Sequence, residues 1–297
     1  MIEQASSQAP LRPSRHHNAW RRLFHDLSRN WVSMLGVFIF VTIIAIVIFA
    51  PYVTRYDPIE PNYRVRYEGP SGQHWFGTDR TGRDVFTRVI YGGRISLRVG
   101  LIAVGIGASL GTLLGLLAGF YGRWIEEVIM RLMDFVLAMP GILLAITIVF
   151  ALGPSLFNVM IAVGISSLPN YARVVRASVL SAKEQQYVEA ARAAGVNDAT
   201  IMLRHILPNV VAPVLILATL GLGGAILSVA ALSFLGLGAA PPTPEWGLLI
   251  SDGRGVLRRA WWVATFPGLF IMLTVLSVNL IGDGLRDALD PRLQRLS

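Results

Sequence analysis

The sequence predicts an all-α, polytopic membrane protein with six transmembrane helices and both termini in the cytoplasm. Of its 297 residues, 54% are hydrophobic and 15% are charged, and its mean hydropathy of +0.56 is too high for an ordinary soluble domain. Charge-free windows that approach the roughly 20 residues needed to cross a bilayer recur along the chain. Cysteine is absent, which excludes disulfide scaffolds, thiolate metal sites and cysteine nucleophiles.

The charge distribution indicates membrane topology rather than a nucleic-acid partner. The formal net charge is +8, but the 26 Lys and Arg residues are spread along the chain without a basic run. Six spans place both termini on the same side of the membrane. The segments assigned to the cytoplasm hold 15 Lys and Arg residues against 10 in the outer segments, so the positive-inside rule puts the termini inside.

Five parts are expected along the chain. In order they are a cytoplasmic N-terminal segment at 1–31, a first transmembrane helix at 32–53, a periplasmic or extracellular loop at 54–94, a five-helix core at 95–283 and a cytoplasmic tail at 284–297. Some thirty residues precede the apolar stretch of the first helix and Pro51 follows it. We therefore expect this helix to remain as an anchor rather than to be removed as a signal peptide.

The core is expected to contain five spans. They lie at about 99–122, 133–152, 156–176, 210–235 and 260–282. Gly153-Pro154 divides one long apolar window into the third and fourth spans of the chain, because this dipeptide fits a tight turn. Pro140 and Pro169 each remove a backbone hydrogen bond and predict kinks in these two helices.

The outer loop ends in a predicted amphipathic helix. Thr81 and Asp84 have the spacing of a capping box. The apolar face that follows is formed by Val85, Phe86, Val89 and Ile90. With Arg83, Arg88 and Arg94 around this face, we expect an interfacial helix on the outer membrane surface. A contact with a substrate or a partner protein is the alternative.

A ridge of small residues runs along the second span at every fourth position. Its members are Ala103, Gly107, Gly111, Gly115 and Gly119. In lipid such a ridge allows another helix backbone to approach closely. Either a helix of the same chain or a second subunit could occupy it.

Ionisable residues within the predicted spans are few. Arg98 lies near a span end and is expected to snorkel to the interface. Asp134 is placed to pair with Arg131 at the cytoplasmic end of the third span. The five histidines lie outside the spans or at their edges, which disfavours a proton relay.

The polar loop at 177–209, between the fourth and fifth spans, carries the strongest functional signal. Residues 181–194 are rich in helix formers, and Gly195 is a suitable residue to end that helix. Asn197 or Asp198 can cap a second short helix that runs to His205. The loop is thus predicted to be two short helices joined at a glycine corner.

This loop resembles the signature loop of the membrane subunits of bacterial ABC importers. The pattern consists of Glu189-Ala190-Ala191, then Gly195 after three residues, then Leu207-Pro208 before an apolar span. The version His205-Ile206-Leu207-Pro208-Asn209 resembles the dipeptide, oligopeptide and nickel branch, and is closest to its C-type permease. Three further stretches, at 74–84, 232–247 and 282–291, support this resemblance.

The resemblance implies that the 177–209 loop is a coupling loop that docks on a separate ATP-binding subunit. Its implied docking residues are Glu189, Ala190, Ala191, Gly195, His205, Leu207 and Pro208. The chain cannot form a P-loop, because its only lysine, Lys183, follows Ala182 where that motif needs glycine. We therefore expect no cofactor in this chain, and ATP and Mg in partner subunits.

The implied assembly is a multi-pass complex of the bacterial cytoplasmic (inner) membrane. Its expected partners are a second homologous permease subunit in a heterodimer, one or two ATP-binding subunits, an extracytoplasmic solute-binding protein and the lipid bilayer, without nucleic acid. The implied function is import of di- or oligopeptides or similar solutes by alternating access, with the segment 95–283 as the permease core. Dipeptide, longer peptide, glutathione-like solute and nickel complex remain open as cargo.

Polar residues in the spans are candidates for a translocation path. They are Ser166, Ser167, Asn170, Thr219 and Ser228. Each could equally form hydrogen bonds between helices. An ATP-independent secondary carrier or channel is the alternative function. An integral membrane enzyme is disfavoured, because no catalytic constellation and no metal site is evident.

Overall fold

The computed structural model describes residues 30–289, and its regular structure there is helical. In chain order the helices are α1 (Trp31–Ile48), α2 (Ala50–Val53), α3 (Val85–Tyr121), α4 (Arg123–Leu137), α5 (Gly141–Leu152), α6 (Leu156–Lys183), α7 (Gln186–Ala193), α8 (Asp198–Thr200), α9 (Leu207–Phe234), α10 (Trp246–Gly253) and α11 (Trp262–Leu289). A π-helical turn, Ile201–Ile206, joins α8 to α9. The predicted all-α class is confirmed. Most of the expected segment 1–31 and the tail beyond residue 289 lie outside the described residues.

Four helices within residues 30–289 are long and apolar enough to cross a membrane. They are Trp31–Ile48, Val85–Tyr121, Asp198–Phe234 and Trp262–Ala288. The polytopic membrane class is thereby supported. The third span predicted at 133–152 is broken more sharply than the expected kink, because α4 and α5 are bent by 93° at a break of residues 138–140. Pro140 lacks an N–H and disfavours helical backbone at the preceding residue, so it ends α4 instead of kinking it.

Parallel packing of α3 on α6 forms the centre of the bundle. A Cβ atom added to Gly111 would lie 2.6 Å from the Cβ of Tyr171, and one added to Gly119 would lie 2.7 Å from the Cβ of Val179. Gly107 and Gly115 likewise face successive turns of α6. Residue numbers rise in the same direction along both helices, so the two run parallel. The small-residue ridge is filled by a helix of the same chain.

The bent pair α4–α5 returns the chain along these parallel helices. Near the start of α6, Val159 packs in one cluster with Val99 of α3, whereas α3 ends at Tyr121. Along α3, the distance from Val99 to this end is roughly 20 residues, or about 30 Å. Helix α5 covers only about 18 Å, so α4 supplies the rest of the distance. Met133 of α4 packs on Leu168, midway along α6.

The first helix is attached to the core at both ends of its length. Near the start of α1, a Cβ atom on Gly36 would lie 2.9 Å from the Ser277 carbonyl of α11. Near its end, Arg94 of α3 donates to the carbonyl oxygens of Val47 and Ile48 at 2.8 and 2.7 Å. The last carbonyls of a helix have no partner within it. Arg94 therefore caps α1 where this helix breaks before α2.

Residues 54–84 form a compact cap, which we call the outer cap, over the first turns of α3 and α11. The indole N–H of Trp262 donates to the Thr78 carbonyl at 3.1 Å. Phe76 stacks on Phe266 with ring centroids 3.8 Å apart and planes 7° apart. Gly77, with φ of +71°, has its Cα against Trp262, so a larger residue there would meet both steric and backbone strain.

A buried cluster of charges fixes the outer cap to α3. Asp79 is 2% exposed and accepts from the Nε of Arg83 at 2.7 Å and from the guanidinium of Arg88. Asp84 is the N-cap of α3 and accepts from the Thr87 amide at 2.7 Å. Its other oxygen lies 2.9 Å from Nδ1 of His74.

The predicted interfacial helix at the end of 54–94 is wrong. Helix α3 begins at Val85 and continues without a break to Tyr121, so this segment is not a separate helix. Val85, Val89 and Ile90 are buried in the protein core instead of facing lipid. The physical reason is Asp79, whose buried carboxylate draws Arg88 inward to a side-chain exposure of 1%.

Gly111→Ala should destabilise the folded chain by about 1–3 kcal/mol, because the new methyl group would overlap α6. Gly105→Ala in the same helix is the matched control. No described atom lies within 4 Å of the Gly105 Cβ position, and alanine has the higher helix propensity, so this variant should be neutral or slightly stabilised. Thermal unfolding of both purified variants in detergent measures the difference. Equal Tm values would contradict the close approach of α3 and α6.

Asp79→Asn should open the outer cap. Arg83 and Arg88 would stay buried without their counter-charge, at a cost of about 3–5 kcal/mol. Hydrogen exchange of the Tyr67 and Thr78 amides, which bond across the cap, measures the opening. Their protection factors should fall in this variant.

Acid should have the same effect on the wild-type outer cap. Burial raises the pKa of Asp79, but the charges of Arg88 and Arg83 and hydrogen bonds from Thr81 outweigh it and hold this pKa below 3.8. The contribution of Asp79 to the free energy of unfolding is therefore complete above pH 3.8 and is lost as pH falls through the lower folded-state pKa.

Asp57→Asn is the control for Asp79→Asn. It changes an exposed carboxylate in the same cap and should leave the protection factors of the Tyr67 and Thr78 amides unchanged. Full protection in Asp79→Asn would show that other contacts hold the cap.

Candidate functional site

A cavity of about 690 Å³ lies between α5, α6 and α9, with α3 behind it. This volume is in the range of small-molecule binding sites, about 300–1,000 Å³. Helices α5 and α9 contribute mainly small and apolar residues, including Gly141, Gly221 and Gly224. Polar groups are concentrated on α6, and α9 adds the hydroxyl of Ser228, so the cavity can form hydrogen bonds mainly along its α6 wall.

Four of the five predicted path residues line this cavity: Ser166, Ser167, Asn170 and Ser228. The hydroxyls of Ser166 and Ser167 donate to carbonyls of their own helix at 2.8 Å. Within the described residues, the Asn170 amide and the Ser228 hydroxyl have no protein partner. These two groups are therefore available to a solute. Thr219 does not line the cavity, and its hydroxyl donates to the Leu215 carbonyl at 2.9 Å.

Arg173 also lines the cavity, and the sequence analysis did not select it. Its guanidinium pairs with Asp134 of α4 at 2.6 Å. The expected pair of Asp134 with Arg131 is wrong, because Arg131 pairs with Glu127 at 3.5 Å. Positions 166, 170 and 173 share one helical face, and this spacing is the signal that could have identified Arg173.

The coupling loop packs firmly on the end of the α3–α6 pair. Val188 and Ala191 of α7 are buried in one cluster with Leu116, Phe120 and Val179. The helix expected at 181–194 is wrong in its first part, because α6 continues to Lys183 and the chain turns before α7 begins at Gln186. This turn allows the apolar side of α7 to reach the core.

Gly195 forms the expected corner of the coupling loop. Its φ is +76°, and its amide donates to the Arg192 carbonyl at 2.9 Å while the Val196 amide donates to that of Ala191 at 3.1 Å. This bond pattern is a Schellman motif, which favours glycine in the left-handed position. Asn197 caps α8 by accepting from the Thr200 amide at 2.8 Å.

The predicted docking residues differ in exposure. Glu189, Ala190, Gly195 and Pro208 are exposed, His205 and Leu207 are half-buried, and Ala191 is buried. Within the described chain, no atom lies within 4 Å of a Cβ position on Gly195. The surface around this corner is therefore open to a partner, while Ala191 serves the inner packing of the loop.

Asn209 connects the two ends of the coupling loop, a role that the sequence analysis missed. Its side-chain amide donates to the hydroxyl of Tyr187 in α7 and to the carbonyl of His205, both at 2.9 Å. Pro208 lacks an N–H and clashes with a regular preceding turn, which accounts for the π-helical turn before it. Asn209 compensates by satisfying a carbonyl of that turn.

The end of α3 is fixed to the same loop by two cations. Lys183 donates to the Gly119 carbonyl at 3.2 Å, next to the last turn of α3. The guanidinium of Arg192 lies 5.5 Å from the centre of the Phe120 ring, within the range of a cation–π contact. Helices α3, α6 and α7 thus meet in one tightly connected junction.

Comparisons with known proteins agree with this arrangement. Residues 111–295 match the family described as binding-protein-dependent transport system inner membrane component. Residues 18–70 match the N-terminal TM domain of oligopeptide transport permease C. The first match includes α6, the coupling loop and α9, and so covers most of the cavity together with the predicted docking surface.

Curated relatives align over nearly the whole chain. The dipeptide transport system permease protein DppC of Alkalihalophilus pseudofirmus is 51% identical over 275 residues, which cover 93% of this chain and 90% of the relative. The glutathione transport system permease protein GsiD of Escherichia coli is 47% identical over 294 residues, with 98% and 97% covered. That of Shigella boydii is 47% identical over 285 residues, with 96% and 94% covered.

These matches confirm the resemblance found in the sequence. Permeases of this family are transport subunits rather than enzymes, and the ATPase activity of their systems lies in separate subunits. Binding-protein-dependent importers also include a substrate-binding protein. The chain belongs to the family of inner-membrane components of binding-protein-dependent transport systems, the permease subunits of ABC importers.

Proposed function

We propose that this chain imports small peptides by alternating access, as one of two nonidentical permease subunits in the bacterial cytoplasmic membrane. The observation that carries the proposal is the continuity between the cavity and the coupling loop. Both α6 and α9 line the cavity, and the coupling loop is the segment that joins them. A displacement of this loop therefore reaches the cavity through two helices without an intermediate element.

The packing of α3 on α6 supports the proposal of six crossings. Four helices meet the length and hydropathy of a span, and the bent α4–α5 pair is a fifth candidate. Helix α6 lies parallel to α3 from Gly107 to Gly119, so it traverses the same depth of membrane. Its lower hydropathy reflects the polar residues that it turns toward the cavity. Because α3 and α6 are parallel, the chain between them must cross back.

The orientation is proposed from the coupling loop and the charge bias. A loop that docks on ATP-binding subunits lies in the cytoplasm, where these subunits find ATP. Helix α9 then runs outward, and the outer cap lies on the periplasmic or extracellular side. Both termini are cytoplasmic in this arrangement, as the positive-inside rule predicts.

Partner subunits supply the energy and deliver the cargo in this proposal. One or two ATP-binding subunits bind ATP and Mg and contact the exposed corner at Glu189 and Gly195. A second homologous permease completes a heterodimer around the path. The extracytoplasmic solute-binding protein docks at the outer side. Of the predicted path residues, Asn170 and Ser228 are the best supported, since they line the cavity and their polar groups have no protein partner within the described residues.

Small peptides are the cargo that the observations support best. The relatives at 51% and 47% identity are named for dipeptide and glutathione transport, and both solutes contain peptide bonds. A cavity of about 690 Å³ accommodates a solute of that size. Its polar α6 wall, opposite walls that are apolar apart from Ser228, suits peptide groups and their side chains.

Asn209→Ala should lower ATP-driven uptake several-fold while the permease still folds. The substitution removes both hydrogen bonds with which the Asn209 amide joins α9 to α7 and to the π-helical turn. Tyr187→Phe, which loses only the bond to α7, should show a similar loss. Thr219→Ala in α9 is the neutral control. Normal uptake by both Asn209→Ala and Tyr187→Phe would mean that other contacts transmit the movement.

The test of the proposed function is uptake of labelled Ala-Ala into proteoliposomes that contain the whole complex and its binding protein. ATP-dependent uptake is expected. Gly195→Asp should abolish both uptake and co-purification of the ATP-binding subunits, because the new side chain occupies the open docking corner. The chain itself should still insert and fold, since the space around Gly195 is free and only backbone strain of about 1–2 kcal/mol is added.

Gly236→Asp is the matched control. Gly236 also has a positive φ, +83°, and an empty Cβ environment within the described residues, but it lies at the opposite end of α9. The Gly236→Asp variant should still co-purify with the ATP-binding subunits. Full uptake by Gly195→Asp would overturn the assigned docking site. Uptake by the purified chain alone without ATP would replace the proposal with a secondary carrier.

A further inference from the structure

Arg173 is the one charged residue among the described residues that line the cavity. The other polar groups on its α6 wall are neutral hydroxyls and an amide. Arg173 also borders a second, charged groove, which contains Asp134 and Glu126. It therefore lies where the cavity opens toward the coupling-loop end of α6.

The ion pair of Arg173 with Asp134 crosses from α6 to α4. Asp134 is followed, within a few residues, by the 93° bend at 138–140 and then by α5. Gly141 and Ile142, at the start of α5, form part of the cavity wall. The pair is thus located at the inner mouth of the cavity, on the two chain segments that enclose it.

This pair is loosely held compared with its neighbour. The side chains of Arg173 and Asp134 are 50% and 58% exposed, whereas those of Arg176 and Glu126 are 35% and 23% exposed. Exposed ion pairs contribute little net stability. Exchanging the Asp134 carboxylate for another carboxylate of similar geometry therefore costs little free energy.

We propose that Arg173 binds the free carboxylate of the cargo as it leaves the cavity, and that Asp134 is the resident counter-ion which the cargo displaces. The inference rests on the proposed function, and it assigns the chemical class of the cargo as solutes with a free carboxylate. The planar guanidinium fork accepts a carboxylate in a bidentate geometry. The α-carboxylate at the C-terminus of a small peptide has this form, and a peptide amide does not.

Displacement of a resident counter-ion also explains how the cargo is released. A path must bind its solute strongly enough to admit it and weakly enough to release it. Asp134 competes with the cargo for Arg173 at every passage, so the cargo carboxylate is returned to solvent when the ion pair forms again. The guanidinium is not left without a counter-charge at either stage.

The experiment is equilibrium binding of Ala-Ala and of Ala-Ala amide to the detergent-solubilised complex, measured by saturation-transfer NMR without ATP and without the binding protein. The wild-type complex should bind the acid up to about fivefold more tightly than the amide, as expected for one carboxylate contact with a half-exposed guanidinium. Arg173→Gln should remove this preference, weakening binding of the acid by up to about fivefold while binding of the amide stays unchanged.

Two further variants distinguish cargo binding from a structural clamp. Asp134→Asn should tighten binding of the acid, because Arg173 loses its resident competitor. A clamp between α4 and α6 predicts weaker binding in both Asp134→Asn and Arg173→Gln. Arg176→Gln is the matched control. It also removes one positive charge from α6, one turn after Arg173, but Arg176 does not line the cavity. It should keep the full preference for the acid.

The outcomes separate this inference from the proposed function. If the wild-type complex takes up Ala-Ala with ATP but Arg173→Gln keeps the preference for the acid, the inference alone is overturned. Equal binding of acid and amide by the wild-type complex also overturns it. If the wild-type complex takes up no peptide, the proposed function fails, and the inference fails with it.

Discussion

The close approach of α3 and α6 is the contact on which the rest of this fold depends. Four glycines let the two backbones meet at distances where no side chain fits, so the contact is stabilised by dispersion along several turns. Parallel neighbours require a returning segment, and α4–α5 provides it. Gly141 and Ile142, which directly follow the bend in that segment, line the cavity. The junction with α7 then fixes the coupling loop to the ends of the same two helices.

The two ends of the bundle use charge in different ways. At the outer end, Asp79, Arg83 and Arg88 are almost completely buried and satisfy one another, so they hold the outer cap rigidly in place. At the inner end, Arg173 and Asp134 are half-exposed and loosely paired. Burial makes an ion pair costly to break, and exposure makes it easy to exchange. The same residue types thus give a fixed cap at one end and an exchangeable contact at the other.

Features governed by local sequence could be predicted, and features governed by distant partners could not. The corner at Gly195 and the cap at Asn197 depend on residues within one turn of each other, and both occur where their motifs place them. Asp134 instead forms its ion pair with Arg173, which is 39 residues away in sequence, and not with Arg131 in its own helix. The burial of Val85 likewise depends on a charge cluster that no periodicity reveals. Family resemblance predicted the coupling loop, whereas the cavity could be located only from the packed helices.

The π-helical turn before Pro208 lies between two surfaces of the chain. One is the side of α9 that faces the cavity, and the other is the exposed surface of the coupling loop. One additional residue in a helical turn rotates everything that follows by about 100°. The π-helical turn therefore rotates the cavity-facing side of α9 relative to the face that the coupling loop presents, and different residues form the two surfaces. In evolutionary terms, such a permease can acquire a new cavity lining for a different solute while its contact with the energy-supplying subunits stays the same.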